Sequence, residues 1–373
     1  MMADHAKLSA SGSHRWLHCP GSVEAEKNLP KSSSPYANEG TGAHALAEKC
    51  LTQSLYPESF LGQTVEGIEV DQEMIDAVQD YIDTVRIIGG QQVYEQRIDL
   101  SEWIEGGFGT ADCVALSAKT LTVVDFKYGK GVKVDAKDNS QLKLYALGAY
   151  NEYGLFADIQ HVNMVIVQPR IEHCSEFTVS VKDLLAWGDW VKERAKQALK
   201  PSAPRIAGDS QCRWCRAKAT CPALYELTAK TVQAEFDDLD SVKPPSALSD
   251  DDLKAVMTNR KLIESWLKAV EDHVFDRVMS GKPFKGYKIV EGRSFRQWQD
   301  NNQAASRLAE LLGDDAYERS LLSVAKAEKR LGKKQAAQIA HLVIKPQGKP
   351  VLVPDSDKRQ SVNPSSDDFD TIA

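Results

Sequence analysis

Two carboxylates and an ammonium group stand close together in the stretch from Gly109 to Gly129. Asp112 sits in one β-rich run, Gly109-Thr-Ala-Asp-Cys-Val-Ala-Leu116. Asp125 and Lys127 close a second, Leu121-Thr-Val-Val-Asp-Phe-Lys-Tyr-Gly129. Ser117-Ala-Lys-Thr120 between them has turn composition, so the piece is expected to form a hairpin. Residues two apart on a strand share a face. Val123, Asp125 and Lys127 then point one way, and Val124, Phe126 and Tyr128 the other. Charge at the end of an apolar strand is costly when left unpaired. A divalent cation would compensate it, with Asp112 and Asp125 as hard oxygen ligands for Mg²⁺. Lys127 could then hold a water or stabilise charge developing on a phosphate. The plainer alternative is a structural Asp–Lys ion pair at a strand end.

The flanking segments decide what can surround that hairpin. Downstream, Asn139-Ser-Gln141-Leu-Lys-Leu-Tyr145 is expected to open a helix capped by Asn or Ser, with Gln141 and Tyr145 on one face. His161 to Gln168 follows as a strand. Upstream, Gln92 to Asp99 can form a strand carrying Glu95. Before that, Glu39-Gly-Thr-Gly-Ala-His44 opens a further helix, with Thr41 as cap and His44 in the first turn.

In that order, a helix with an early His, a Glu, Gly-x-x-Asp, Asp-x-Lys and Gln-x-x-x-Tyr, the chain resembles the RecB-like branch of the PD-(D/E)XK nucleases. It is most similar to the phage-type exonuclease group that carries an iron–sulfur cluster. The resemblance implies an α/β fold: a restriction-endonuclease-like core of a mixed sheet flanked by helices. It implies Mg²⁺ or Mn²⁺ at His44, Asp112 and Asp125, with Lys127 as the motif lysine and Glu95 as a further, less securely matched, catalytic carboxylate. Gln141 and Tyr145 match the motif that steers DNA near the active site.

The cysteines form a separate argument. The seven are 19, 50, 113, 174, 212, 215 and 221. Cys212-Arg-Trp-Cys215 followed by Cys221-Pro222 is a compact triple suited to a metal or cluster site. Cys19, also followed by proline, is the best fourth ligand. RecB-like iron–sulfur nucleases, AddB-type subunits among them, place one cysteine near the start of the nuclease domain and a Cys-x₂-Cys-x₅-Cys triple at its end. This sequence has that layout. A structural Zn²⁺ on the same four thiolates is the alternative to a [4Fe-4S] cluster. Either would close a long loop and constrain the unfolded chain by several kcal/mol. A disulfide framework is disfavoured by the odd cysteine count and by an N-terminal segment without an apolar signal-like core. Cys50, Cys113 and Cys174 are expected to be buried small hydrophobes.

At 373 residues the chain is long enough for a large domain with an appendage, or for two domains. Its 42% hydrophobic and 27% charged content is that of a globular protein, and no apolar run approaches bilayer-spanning length. A net charge of −7 argues against a non-specific DNA coat but not against a nuclease with a local basic strip. Lys127, Lys130, Lys133 and Lys137 form one candidate strip, with Lys130 and Lys133 as DNA contacts; a solvated charged loop is the alternative. The expected organisation is a nuclease domain over 1–230, a mainly helical extension with a short hairpin over 245–350, and a disordered tail over 354–373. The extension includes a long helix from about 252 to 279, an aromatic and basic run over 284–298, and helices at 304–312 and 316–342. The expected activity is metal-dependent DNA exonuclease action on duplex or single-stranded ends in the cytoplasm of a bacterial host. A phage recombination setting and partner protein are implied by the resemblance alone. A non-catalytic DNA-binding module and an endonuclease of the same superfamily are the competing readings.

Overall fold

The computed structural model describes residues 6–30, 35–117, 119–155, 157–233 and 250–288, with scattered positions between 303 and 343. A five-stranded mixed sheet organises the chain. Its strands, β3 (Gln91–Asp99), β4 (Phe108–Leu116), β5 (Thr120–Phe126), β6 (His161–Gln168) and β7 (His173–Ser180), lie side by side in sequence order. All neighbours are antiparallel except β5 and β6. That parallel pair needs a crossover, which the helix α5 (Ser140–Tyr153) supplies. β5 is central and buried on both faces, so Leu121, Val123, Val124 and Phe126 are all core residues whichever way they point. Asp125 is the one charged residue within it.

Helices cover both faces. On one side α3 (Pro35–Gln53) and α4 (Gln72–Ile88) bury Leu46, Cys50, Val78 and Ile82 against Cys113, Val124 and Phe126. A small ribbon of β1 (Thr64–Val65) and β2 (Ile68–Glu69) connects them. On the other side α5 and α6 (Val181–Ala198), with the short α1 (Ser13–Trp16), pack Leu142, Leu147, Leu184 and Trp16 onto Val114, Leu121 and Val123. Local signals set these helix starts. Asp71, Asn139 and Ser180 cap α4, α5 and α6 by accepting the amides of Met74, Leu142 and Asp183. Thr41 is not the cap of α3: it lies inside the helix, and its hydroxyl bonds the carbonyl of Ala37 one turn back.

The expected hairpin, its partner strands and the Asn139-capped helix are all present. Val123 and Val124 fall on opposite faces, as the alternation requires. Cys50 and Cys113 are fully buried, whereas Cys174 is exposed. It sits on the edge strand β7, where alternate residues face solvent.

Past the sheet, α2 (Ser22–Glu26) follows Cys19, and α7 (Asp209–Arg213) and α8 (Pro222–Gln233) carry and follow the cysteine triple. The long helix α9 (Asp250–Met279) packs beside them through Leu262 and Trp266. The chain divides into two compact units, 1–290 and 291–373. α9 belongs to the first. The expected linker near 244, most of the basic aromatic run, the later helices and the tail lie outside the described residues, apart from isolated helical positions such as Arg307, which pairs with Glu310. No helix among the described residues is long and apolar enough to cross a membrane.

Candidate functional site

The site grows out of an irregularity in β3 and β4. Val93 and Ile98, five apart, both pack under α5, as do Ala111 and Val114, three apart. Residues that share a strand face should be an even number apart. The two strands therefore change face together, while their register stays constant on either side. The change is centred on Glu95, whose φ of 46° lies in the left-handed region that a glutamate rarely adopts. Backbone strain of this kind is retained where the surroundings dictate it, and functional sites are the usual place.

Directly across from Glu95 is Asp112. The regular β4–β5 ladder ends at Cys113–Val124, and beyond it the amide of Phe126 donates to Asp112 Oδ2 at 2.7 Å. The carboxylate thus replaces a backbone acceptor and is pinned, leaving Oδ1 to face His44 Nδ1 at 3.3 Å. His44 reaches down from α3 with its ring tilted against Phe126, 5.2 Å between centroids, and Phe126 stacks in turn on Tyr81. Glu95 Oε1 is 3.9 Å from the same imidazole nitrogen. One ligand atom from each of His44, Glu95 and Asp112 can be chosen with all three within 4.8 Å of one another.

Asp125 lies beside this trio, 2% exposed. It accepts from Lys127 Nζ and from Gln141 Nε2, at 3.1 and 3.0 Å, both through Oδ1. Its Oδ2 is 2.8 Å from the same ammonium, but the angle is too poor for a hydrogen bond, so this buried oxygen has an ionic neighbour and no hydrogen-bond partner. Gln141 also accepts from Lys127 at 3.2 Å and donates to the Tyr145 hydroxyl at 3.3 Å. Close approach makes this row possible. A Cβ on Gly109 would stand 2.6 Å from the Tyr145 ring, so only glycine lets that ring lie against β4.

The electrostatics follow from crowding three carboxylates. Burial disfavours a charged imidazole, yet Asp112, with Glu95 and Asp125 behind it, raises His44 to about 10. Burial pushes the Asp125 carboxyl up, opposed by Lys127 and assisted by Asp112. Burial likewise raises Glu95, against the pull of His44. A proton on His44 and the ammonium of Lys127 are thus the positive charges that balance the site. The donor atoms that converge are two carboxylates and one imidazole, from Glu95, Asp112 and His44, a set that suits a hard divalent cation; Asp125, expected to be a ligand in place of Glu95, is outside that group and is held by Lys127 and Gln141.

Two clasps that sequence patterns did not reveal hold the surrounding elements. Arg170 joins Glu39 on α3 at 3.2 Å, Glu73 on α4 at 2.9 Å and the face of Tyr128, just past β5, at 4.2 Å. These partners are 131, 97 and 42 residues away along the chain, beyond any local signal. Lys130 and Lys133 are paired with Glu73 and Asp135, at 2.6 and 3.1 Å.

The cysteines gather at a second locus. Ile206 N–H donates to Cys19 Sγ at 3.2 Å and Gly208 N–H to Cys212 Sγ at 3.5 Å. Burial raises the Cys19 and Cys212 thiols; those two N–H bonds oppose it, and the nearby Cys221 adds to it. Burial pushes Cys215 up to about 12. Among the described residues the His44 trio is the one group of three ligand atoms within 4.8 Å, so no three of these sulfurs come that close. The second clasp lies here. Buried Glu26 bonds Arg15 at 2.8 Å and the backbone amide of Arg216 at 2.7 Å, tying the N-terminal segment to the residue after Cys215. Cys50, Cys113 and Cys174 do not belong to this group.

Among solved structures, one titled "Crystal structure of SSO0001" is 14% identical over 55% of this chain and 95% of that one, with a TM-score of 0.25. That likeness is too slight to carry any argument. Residues 5–360 match the family described as "Protein of unknown function (DUF2800)", and with nearly its whole length matched, the chain belongs to that family.

Proposed function

We propose that this protein is a divalent-metal-dependent deoxyribonuclease of the RecB-like PD-(D/E)XK type, acting as an exonuclease. The observation that carries the reading is the convergence of His44, Glu95 and Asp112 beside the buried Asp125–Lys127 pair. His44, Asp112 and Asp125 would hold Mg²⁺ or Mn²⁺, with Glu95 beside them; when bound, the ion polarises the scissile phosphate and acidifies a water. Asp112 is held by the Phe126 amide, so its free oxygen is set in place by the backbone. Lys127 offers its ammonium at the rim, where it can neutralise charge developing on a phosphate oxygen. Gln141 fixes both Asp125 and Lys127, and the buried Tyr145 fixes Gln141; on this reading Gln141 borders the strand being cut and Tyr145 acts on it through Gln141. Lys130 and Lys133 can exchange their exposed carboxylate partners for phosphates at low cost.

The four cysteines would hold a [4Fe-4S] cluster. The Cys-x₂-Cys-x₅-Cys triple with the distant Cys19 supports this reading, and a single zinc on the same four thiolates is the alternative. A phage or prophage recombination setting, with a partner protein, fits this activity.

The test is hydrolysis of linear duplex, single-stranded and covalently closed circular DNA with Mg²⁺ or Mn²⁺, comparing the parent with Asp112→Asn. Exonuclease action digests the linear forms and spares the circle. Cutting of the circle would replace it with an endonuclease, hydrolysis that persists without metal or in Asp112→Asn would reject the metal site, and absent hydrolysis would leave a DNA-binding module.

A further inference from the structure

Beyond Glu95 and Asp112 the sheet narrows to a two-stranded ribbon, because β5 pairs only with residues 113–116 of β4. One face of that ribbon is closed: Ile98 and Ala111 are buried and Gly109 lies under Tyr145. The register puts Arg97 opposite Thr110 and Asp99 opposite Phe108, so these four share the other face. Neither α3 nor α4 covers it: their core cluster takes Cys113 and Tyr94 and nothing from 96–99 or 108–111. Arg97, Asp99 and Thr110 are exposed. The Arg97 guanidinium lies 3.9 Å over the Phe108 ring and forms no ion pair among the described residues. The neighbouring carboxylate is occupied, since Asp99 accepts from the amide and hydroxyl of Ser101 at 2.8 and 2.9 Å. An open cavity of about 460 Å³ lies against the pair.

We propose that Arg97, braced on Phe108, is a phosphate subsite for the nucleic-acid strand next to the scissile position. Stacking fixes the guanidinium plane and leaves its N–H edge for a phosphate, which it matches as a two-pronged donor. Arg97 is two residues from Glu95 along β3, and its guanidinium reaches over Phe108, the partner of Asp99, so the group stands roughly 7–13 Å along the ribbon from Glu95. That span is of the order of one to two steps between successive phosphates on an extended strand. A phosphate held at the His44–Glu95–Asp112 trio would therefore have a phosphate one or two positions along the strand at Arg97. The subsite rests on the nuclease reading for its purpose, but its binding can be measured without catalysis.

The experiment uses the full chain in EDTA and a fluorescent single-stranded DNA oligonucleotide, with affinity followed against salt for the parent, Arg97→Ala, Arg97→Lys and Phe108→Leu. Hydrolysis with Mg²⁺ is followed in parallel, and circular dichroism checks folding. Losing a charge-assisted phosphate contact should weaken binding roughly tenfold in Arg97→Ala and reduce the salt slope by about 0.7. KM should rise with kcat nearly unchanged. Arg97→Lys should keep the slope but lose affinity, and Phe108→Leu should fall between parent and Arg97→Ala. Parental affinity and slope in Arg97→Ala, in a preparation that digests DNA, overturns the subsite and leaves the nuclease reading standing. Binding that depends on Arg97, in a protein that no divalent metal makes hydrolytic, upholds the subsite and removes the nuclease reading. A parent that binds no oligonucleotide overturns the subsite.

Discussion

Asp125→Asn tests the energetics and the chemistry of the site at once. The side chain is almost wholly buried, and the change keeps its shape while removing its charge. Deleting one partner of a buried ion pair costs roughly 3–5 kcal/mol, but three features reduce that figure here. The amide oxygen of Asn can still accept from Lys127 and Gln141, as Oδ1 of Asp125 does now. The Lys127 side chain remains 29% exposed and can turn to water. Burial already opposes the ionised carboxylate, and Asp112 adds to the opposition. A net loss of about 1–2 kcal/mol remains, which for a unit of this size lowers Tm by roughly 2–6 °C. Hydrolysis should fall by about 10²–10³-fold, the usual effect of removing a charge aimed at the reacting centre. Thermal unfolding by circular dichroism and digestion of linear DNA in Mg²⁺ or Mn²⁺ give the two numbers. Near-parental digestion refutes the catalytic role of Asp125, and a collapse of the fold refutes the argument that the amide preserves the local bonds.

Three further outcomes are expected. In metal-free protein, His44 is raised to about 10 from 6.5, so its stabilising contribution is complete below pH 6.5 and disappears as pH rises through about 10; the stability difference between parent and His44→Gln in EDTA should shrink across that window, and a constant difference would contradict it. Glu26→Ala leaves Arg15, Arg216 and the Arg216 amide without their buried partner and should cost about 3–5 kcal/mol by urea denaturation; a loss under 1 kcal/mol would show the clasp to be incidental. Anaerobically purified protein should contain about four irons with sulfide and absorb near 400 nm, whereas a single zinc would reject the cluster while leaving the four-cysteine site in place.

Much of this arrangement is legible in one dimension because its signals are local. The hairpin follows from two β-rich runs around a turn, α5 from Asn139, and the opposed directions of Asp125 and Phe126 from strand alternation. The pairing of Gln141 with Tyr145 follows from helical spacing. Other features have no local signature. Thr41 has the composition of a cap, but helix α3 begins earlier and absorbs it. Cys174 has the hydrophobicity of a core residue, and only its place on an edge strand exposes it. The left-handed backbone at Glu95 contradicts residue preference, so no pattern of residue types announces it. Arg170 and Glu26 take partners from distant segments, and their pairings arise only when the fold is complete.

The short helix α1 has a consequence of its own. The Ser13 hydroxyl meets that of Ser140, the first residue of α5, at 2.6 Å. One residue later, Gln141 holds Asp125 and Lys127. Three residues past the end of α1 is Cys19, whose sulfur takes the Ile206 amide from the far end of the sheet domain. The Ser13–Ser140 contact therefore links the segment that carries Cys19 directly to the first turn of α5, so the N-terminal residues help to set where Gln141 meets Asp125 and Lys127.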